Sequence, residues 1–279
     1  MRMYFCGVRG SLPAVGSEFA TVGGNTSCVA LAHDDDRGPS LVLDAGTGLR
    51  TLTRLLDGAA FRGSLILGHC HWDHVMGIPF FRAGDRIDSR VRVLLPQQGT
   101  PAEELMERMM SPPLFPIRPS TLRGDWTYET YDEGTFDLEG FRVMTREIPH
   151  RGGRTMGLRI SDGRSTVAYL SDHAPYDVGP GVDGLGEVHR AAVDIVKGAD
   201  VLVHDAQYTD SELVDRMDWG HSAASYAVTL GHECGVGRVF LYHHDPSRTD
   251  DQVFTLRQSL RVPSGMEVDV AIEGDEIRL

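Results

Sequence analysis

Long apolar runs are missing from this sequence. The longest, such as Leu41-Val42-Leu43 and Ile78-Pro79-Phe80-Phe81, fall far short of the roughly 20 residues that cross a bilayer. No membrane span is expected. The segment Met1 to Cys6 turns polar by Arg9 and lacks the apolar stretch of a secretory leader. Cysteine is scarce: Cys6, Cys28, Cys70 and Cys234 are scattered and form no Cys-x-x-Cys pair. That excludes a disulfide scaffold and predicts reduced thiols in a cytoplasmic protein. Basic residues are outnumbered, 27 against 40 acidic ones, for a formal charge of −13. Broad electrostatic capture of nucleic acid is disfavoured on that count. A small anionic substrate is not, because a metal ion supplies positive charge locally. Fixed-period repeats, low-complexity tracts and heptads are absent too.

What is present is a globular composition, 41% hydrophobic and 24% charged over 279 residues, enough for a real core. The first half reads as short strands broken by glycine turns: 2–8, 26–32, 41–43 and 64–67, with helical spacing over 47–57. Further strands are expected near 91–95, 126–131, 141–148, 156–161, 165–171, 201–204 and 238–242. Helices fit 101–110, 187–197, 221–234 and 249–260. Residues 267–278 alternate around Gly274-Asp275 and predict a closing hairpin. Two runs of strands, each followed by helices, predict an α/β fold: a four-layer αβ/βα sandwich forming one domain over 1–279. Four prolines between 111 and 124 predict an ordered loop or lid.

Twelve histidines are present, and their placement carries the functional argument. The apolar strand 64–67 runs into His69-Cys70-His71-Trp72-Asp73-His74. In an extended strand end, positions i and i+2 share a side. His69 and His71 then face one way and Cys70 the other, and a bend brings Asp73 and His74 back beside them. Three imidazoles and a carboxylate so placed suit two metal ions. A chance match to this pattern is on the order of one in a thousand. His150, Asp172 and His243 each follow an apolar strand, where sites of layered folds gather. His244 is adjacent to His243 and competes for its role. His173 reads as a residue outside the ligand set, either behind it or at the surface.

These residues, with Gly7-Val8-Arg9-Gly10-Ser11, Gly24-Asn25-Thr26-Ser27, Leu43-Asp44-Ala45-Gly46-Thr47-Gly48, Tyr169-Leu170-Ser171-Asp172 and Leu241-Tyr242-His243-His244-Asp245-Pro246, resemble successive blocks of the metallo-β-lactamase superfamily. The branch is that of ribonuclease Z-like and cyclic phosphodiesterase-like hydrolases. The resemblance covers nearly the whole chain and implies the metallo-β-lactamase fold. It implies one metal on His69, His71 and His150, another on Asp73, His74 and His243, and Asp172 bridging them around a shared water or hydroxide. The ligand set is all nitrogen and carboxylate, which favours zinc and leaves manganese and iron open. Asp44 is expected to orient a ligand histidine or to cap a turn. Arg9 is expected either at a phosphate or in a surface salt bridge.

Val203-His204-Asp205-Ala206-Gln207 and Trp219-Gly220-His221-Ser222-Ala223 resemble the ribonuclease Z-like pair in which an acidic residue holds a proton-donating histidine. The resemblance gives His221 the general-acid role and Asp205 its support. A carboxylate partner raises a histidine pKa, as that role needs. His221 otherwise reads as a helix-start residue with Ser222 as N-cap, and His204 reads as structural.

The resulting expectation is a dinuclear-metal phosphodiesterase acting on a small phosphate ester, a 3′,5′-cyclic nucleotide or a ribose cyclic phosphate first among them. Ribonuclease Z proper inserts a long tRNA-gripping arm between the positions matching His150 and Asp172. Here only residues 151–171 separate them. A ribonuclease Z-like nuclease and a lactone or thioester hydrolase on the same metals are the alternatives. A non-catalytic metal-binding sensor is a third. Relatives of this kind are often homodimers, and Met109, Met110, Leu114 and Phe115 suit a loop that reaches a partner or one pinned to its own core.

Overall fold

Alternation along the strands decides how the chain layers. In the computed structural model, which describes residues 1–279, β1 (Arg2–Gly7) sends Met3 and Phe5 to one side and Tyr4 and Cys6 to the other. The same split recurs in β2 (Cys28–Ala32), β3 (Leu41–Leu43), β4 (Arg62–Ile66), β5 (Arg90–Pro96) and β6 (Asp125–Tyr131), which form the first sheet. The second sheet holds β7 (Gly134–Leu138), β8 (Phe141–Ile148), β9 (Thr155–Ser161), β10 (Thr166–Leu170), β11 (Val201–Asp205), β12 (Arg238–Tyr242) and β13 (Glu267–Val270). The last strand, β14 (Glu276–Arg278), returns to the first sheet and pairs antiparallel with β1.

The two sheets follow one plan. From β14 through β1, β2 and β3 the pairings are antiparallel, and from β3 through β4, β5 and β6 they are parallel. From β7 to β10 they are antiparallel, and from β10 through β11 and β12 to β13 parallel. Parallel neighbours need crossovers. The chain supplies α1 (Leu49–Leu55), α2 (Trp72–Val75) and α3 (Ala102–Met109) for the first sheet. It supplies α4 (Arg190–Val196), α5 (Asp210–Arg216), α6 (Ala224–Glu233) and α7 (Asp250–Ser259) for the second.

Twenty-seven buried residues, among them Phe5, Leu31, Leu43, Ile66, Phe141, Leu158, Tyr169 and Tyr242, fill the space between the sheets. A cluster of 23 lies under α1 and α3, and one of 21 under α4, α6 and α7. This is the four-layer sandwich the sequence predicts. No helix is long and apolar enough to cross a membrane.

Several expectations need correction. Residues 267–278 do not form a hairpin: β13 pairs parallel with β12 while β14 joins the other sheet. The glycine turn is real, with Gly274 at φ +98, but it carries the chain across from one sheet to the next. Helix α6 begins at Ala224, not at 221. Tyr208 N–H donates to Ser222 O at 3.1 Å and Ala224 N–H to Tyr208 O at 2.9 Å, so 221–223 is held extended. Ser222 is therefore no N-cap, and its hydroxyl donates to His173 O at 2.6 Å. Strand β7 and helix α5 lie outside the sequence reading. The capping box of Thr209 and Glu212 that starts α5 is legible in the sequence as Thr-x-x-Glu. Met110, just before the 111–124 loop, and Leu122 within it are buried in the core beneath α3, and Leu114 is exposed.

Arg9 meets neither expectation. It is fully buried, and Nε donates to Gly23 O at 2.7 Å, Nη1 to Arg248 O at 2.7 Å and Nη2 to Asp250 Oδ1 at 3.1 Å. It ties the β1 exit to the first turn of α7. Removing one partner of a buried ion pair strands the other. Arg9→Met is expected to lower unfolding stability by about 3–5 kcal/mol in urea titrations, and an unchanged midpoint would contradict this role.

Candidate metal centre and active site

The parallel strands of both sheets end at one rim. Asp44 follows β3, the His69–His74 segment follows β4, Asp172 follows β10, Asp205 ends β11 and His243 follows β12. His150 arrives from the end of β8. Ligand-bearing loops gather at carboxyl ends of strands in such sheets.

Two groups of donor atoms form there. His69, His71 and His150 each bring one ring nitrogen within 4.8 Å of the others, and Asp73, His74, Asp172 and His243 make the second group by the same measure. His71 Nδ1 lies 3.1 Å from His150 Nε2. His74 Nε2 is 3.2 Å from Asp73 Oδ2 and 3.0 Å from Asp172 Oδ1. His243 Nε2 is 3.2 Å and 3.4 Å from the same two atoms. Asp172 turns its other oxygen to the first group, with Oδ2 3.7 Å from His69 Nε2 and 3.6 Å from His150 Nε2. One carboxylate thus faces both groups, one oxygen each.

The donor set fits divalent metal. Buried polar atoms are normally hydrogen-bonded, yet His69 Nδ1 and Nε2, His74 Nε2 and Asp172 Oδ1 are buried and make no well-aligned hydrogen bond, close as the last two lie to each other. Imidazole nitrogen and carboxylate oxygen suit zinc, manganese or iron.

The candidate ligand rings are held from behind. His74 Nδ1 donates to Asp44 Oδ2 at 2.8 Å, and Asp44 also accepts from Gly68 N–H at 2.7 Å and Tyr169 Oη at 2.7 Å. His150 Nδ1 donates to Gly220 O at 2.7 Å. His243 Nδ1 donates to Gln207 Oε1 at 2.9 Å, and Asp73 Oδ2 accepts from Ser11 N–H at 2.7 Å. Sequence reasoning missed Gln207, Gly220, Tyr169 and Ser11 in these roles. Gln207 had one faint signal, its place two residues beyond Asp205. Gly220 is at φ +90, and a Cβ there would sit 3.0 Å from His150 Nδ1, so a side chain would disturb this contact.

Such outer partners are worth about 10–100-fold in metal affinity. Gln207→Ala is expected to weaken metal beside His243 by that factor and to spare the His69, His71 and His150 group. Chelator competition reads the two sites separately, and equal loss at both would refute the local role.

His243 and not His244 enters the cluster. His244 Nε2 points to Ala271 O at 3.3 Å, and burial pushes its pKa down to about 3. His173 is buried rather than at the surface, its ring bridging His204 Nε2 at 2.9 Å and His189 Nε2 at 2.8 Å. His204 is buried and donates to Asp205 O at 2.7 Å. Cys70 borders the cleft, and burial lifts its thiol to about 11.

His221 Nδ1 stands 2.9 Å from Asp205 Oδ2. Asp205 is buried and also accepts from His173 N–H at 3.1 Å and Gln207 N–H at 3.0 Å. Burial alone lowers the His221 pKa, but Asp205, and behind it Asp172 and Asp73, raise it above the usual histidine value. The cleft, about 400 Å³, is lined by Ser11, Cys70, His71, Trp72, Asp73, Asp172 and His221.

Comparison with known proteins agrees with this architecture. Ribonuclease Z of Haloferax volcanii is 26% identical over the whole of this chain and 95% of its own length. Ribonuclease Z of Thermoplasma volcanium is 34% identical over 43% of this chain, a match spanning only 32% of that protein. Among solved structures, the metallo-β-lactamase fold protein YhfI from Bacillus subtilis superimposes with a TM-score of 0.72 at 18% identity, covering 99% of each chain. A diphosphatase of the PhnP family gives 0.70 at 15% identity, covering 100% of this chain and 97% of its own. With relatives named Ribonuclease Z, the expectation that nucleic acid is disfavoured as a partner finds no support. The Beta-lactamase superfamily domain matches residues 40–244, and the chain belongs to that superfamily.

Proposed function

We propose that this chain is a dinuclear-metal phosphodiesterase in which His221 protonates the leaving alkoxide. The observation that carries the reading is the Asp205–His221 pair, 2.9 Å apart, at the wall of the cleft that Asp73 and Asp172 also line. His69, His71 and His150 would hold one ion, Asp73, His74 and His243 the other, with Asp172 between. Such ions would activate a water and neutralise charge on the phosphoryl oxygens. Asp205 accepts the Nδ1 proton of His221 and keeps the ring charged, so the proton delivered to the departing oxygen comes from Nε2. Gln207, Gly220 and Asp44 keep three candidate ligand rings turned inward.

The substrate in this proposal is a small cyclic phosphodiester, a 3′,5′-cyclic nucleotide or ribose cyclic phosphate. The support is that residues 151–171 hold only a loop and the β9–β10 hairpin, with no arm to grip a folded RNA. A second reading, an RNA-processing nuclease, is favoured by the similarity to ribonuclease Z along the full chain. A homodimer covering exposed Leu114 belongs to the first proposal. Turnover of cyclic nucleotides, ribose cyclic phosphate and short RNA by metal-loaded protein decides between the two. Cleavage of RNA alone would remove the cyclic-phosphate reading. Turnover confined to lactones or thioesters would remove the phosphodiesterase reading altogether.

A further inference from the structure

We propose that Trp72 is a stacking platform that selects phosphodiesters carrying a planar base, an inference that rests on the phosphodiesterase reading above. Trp72 is the first residue of α2, between His71 and Asp73, and its side chain borders the cleft. It is 75% exposed and belongs to none of the apolar clusters of the fold. An indole left in water contributes no packing to the fold, so its position gives it no evident structural task. Its place in the chain fixes its distance from the reacting centre, because the ligands on either side of it are fixed.

The composition of the cleft strengthens the case. None of its lining residues is lysine or arginine. The nearest guanidinium in sequence, Arg9, two residues before Ser11, is buried and engaged with Asp250 at 3.1 Å, and Arg151 is engaged with Asp177 at 2.8 Å. Apart from His221, which the reading above commits to the leaving oxygen, the cleft has no cationic side chain to offer the organic part of a substrate, and its large apolar surface is the indole. A nucleobase offers a π-face to such a ring without needing hydrogen bonds, and one stacked base is worth roughly 5- to 150-fold in affinity. A bare ribose phosphate has no such face and would gain little.

The test pairs a base-bearing ester, adenosine 3′,5′-cyclic phosphate or ApA, with its abasic counterpart. Metal-loaded parent, Trp72→Ala and Trp72→Phe are compared. Trp72→Ala is expected to raise KM for the base-bearing ester by about 10-fold or more, with kcat little changed and the abasic ester unaffected. Trp72→Phe should fall between. Binding is read separately by titrating AMP against a variant in which Trp126 and Trp219, the other two of the three tryptophans, are phenylalanine. Quenching of Trp72 emission is expected. Equal KM changes on both esters, no change on either, or emission that AMP leaves untouched would overturn the proposal. If the parent cleaves neither ester, it is the phosphodiesterase reading that fails, and the AMP titration alone decides the stacking role.

Discussion

Alanine at Asp73 or His69 is expected to abolish turnover and metal binding together. Asp73 lies 3.2 Å from both His74 Nε2 and His243 Nε2, so its loss takes the only carboxylate particular to that group. His69 is buried with neither ring nitrogen hydrogen-bonded, and its loss leaves that ion only two imidazoles and an Asp172 oxygen shared with the other group, short of a full tetrahedral set. Metal content measured by mass spectrometry is expected to fall from about two ions per chain, and phosphodiester turnover to fall to background. Both variants should remain folded, because removing one member of a crowded polar cluster takes nothing from the apolar cores. A variant that keeps two ions and parental turnover would refute the ligand assignment.

His221→Ala is expected to behave in the opposite way with respect to metal. It should keep both ions and lose a factor on the order of 10²–10⁴ in rate, the usual worth of a general acid. The size of the loss depends on the leaving group. An alkoxide needs a proton to depart, whereas p-nitrophenolate does not, so the defect should shrink on bis(p-nitrophenyl) phosphate. Asp205→Asn is expected to follow the same pattern more weakly, since the amide no longer favours a charged ring. An equal loss on both leaving groups would deny His221 the proton and reduce it to a packing residue.

The candidate site's clustering was legible in the sequence because its residues follow buried apolar strands. Leu41-Val42-Leu43 delivers Asp44, Val167–Leu170 delivers Asp172 and Val239–Tyr242 delivers His243. In each case the strand makes a rigid base and the next residues turn to the rim. The choice between His243 and His244 was not legible, because adjacent residues differ only in which way the backbone turns. His243 sits at φ +57, and that turn sends its ring to Gln207 and the cluster.

Pairing across long separations was the other blind spot. The alternation in 267–270 and 276–278 describes two strands correctly and says nothing of their partners. Those partners, β12 and β1, come from opposite sheets. Arg9 illustrates the same gap for side chains. Its guanidinium is satisfied by Gly23, Arg248 and Asp250, two of which lie at the far end of the chain. Gln207 and Gly220 act through one oxygen each on a distant histidine, a role that residue type does not encode.

The most direct test of the central claim takes metal-loaded protein and measures two quantities on one sample: ions bound per chain, and turnover of bis(p-nitrophenyl) phosphate against p-nitrophenyl acetate. About two ions per chain with clear preference for the phosphodiester is the result expected from the Asp172-centred cluster and the Asp205–His221 pair. Two ions with turnover of the acetate alone would contradict it, leaving the fold and the metal cluster in place and taking the phosphodiesterase role from the chain.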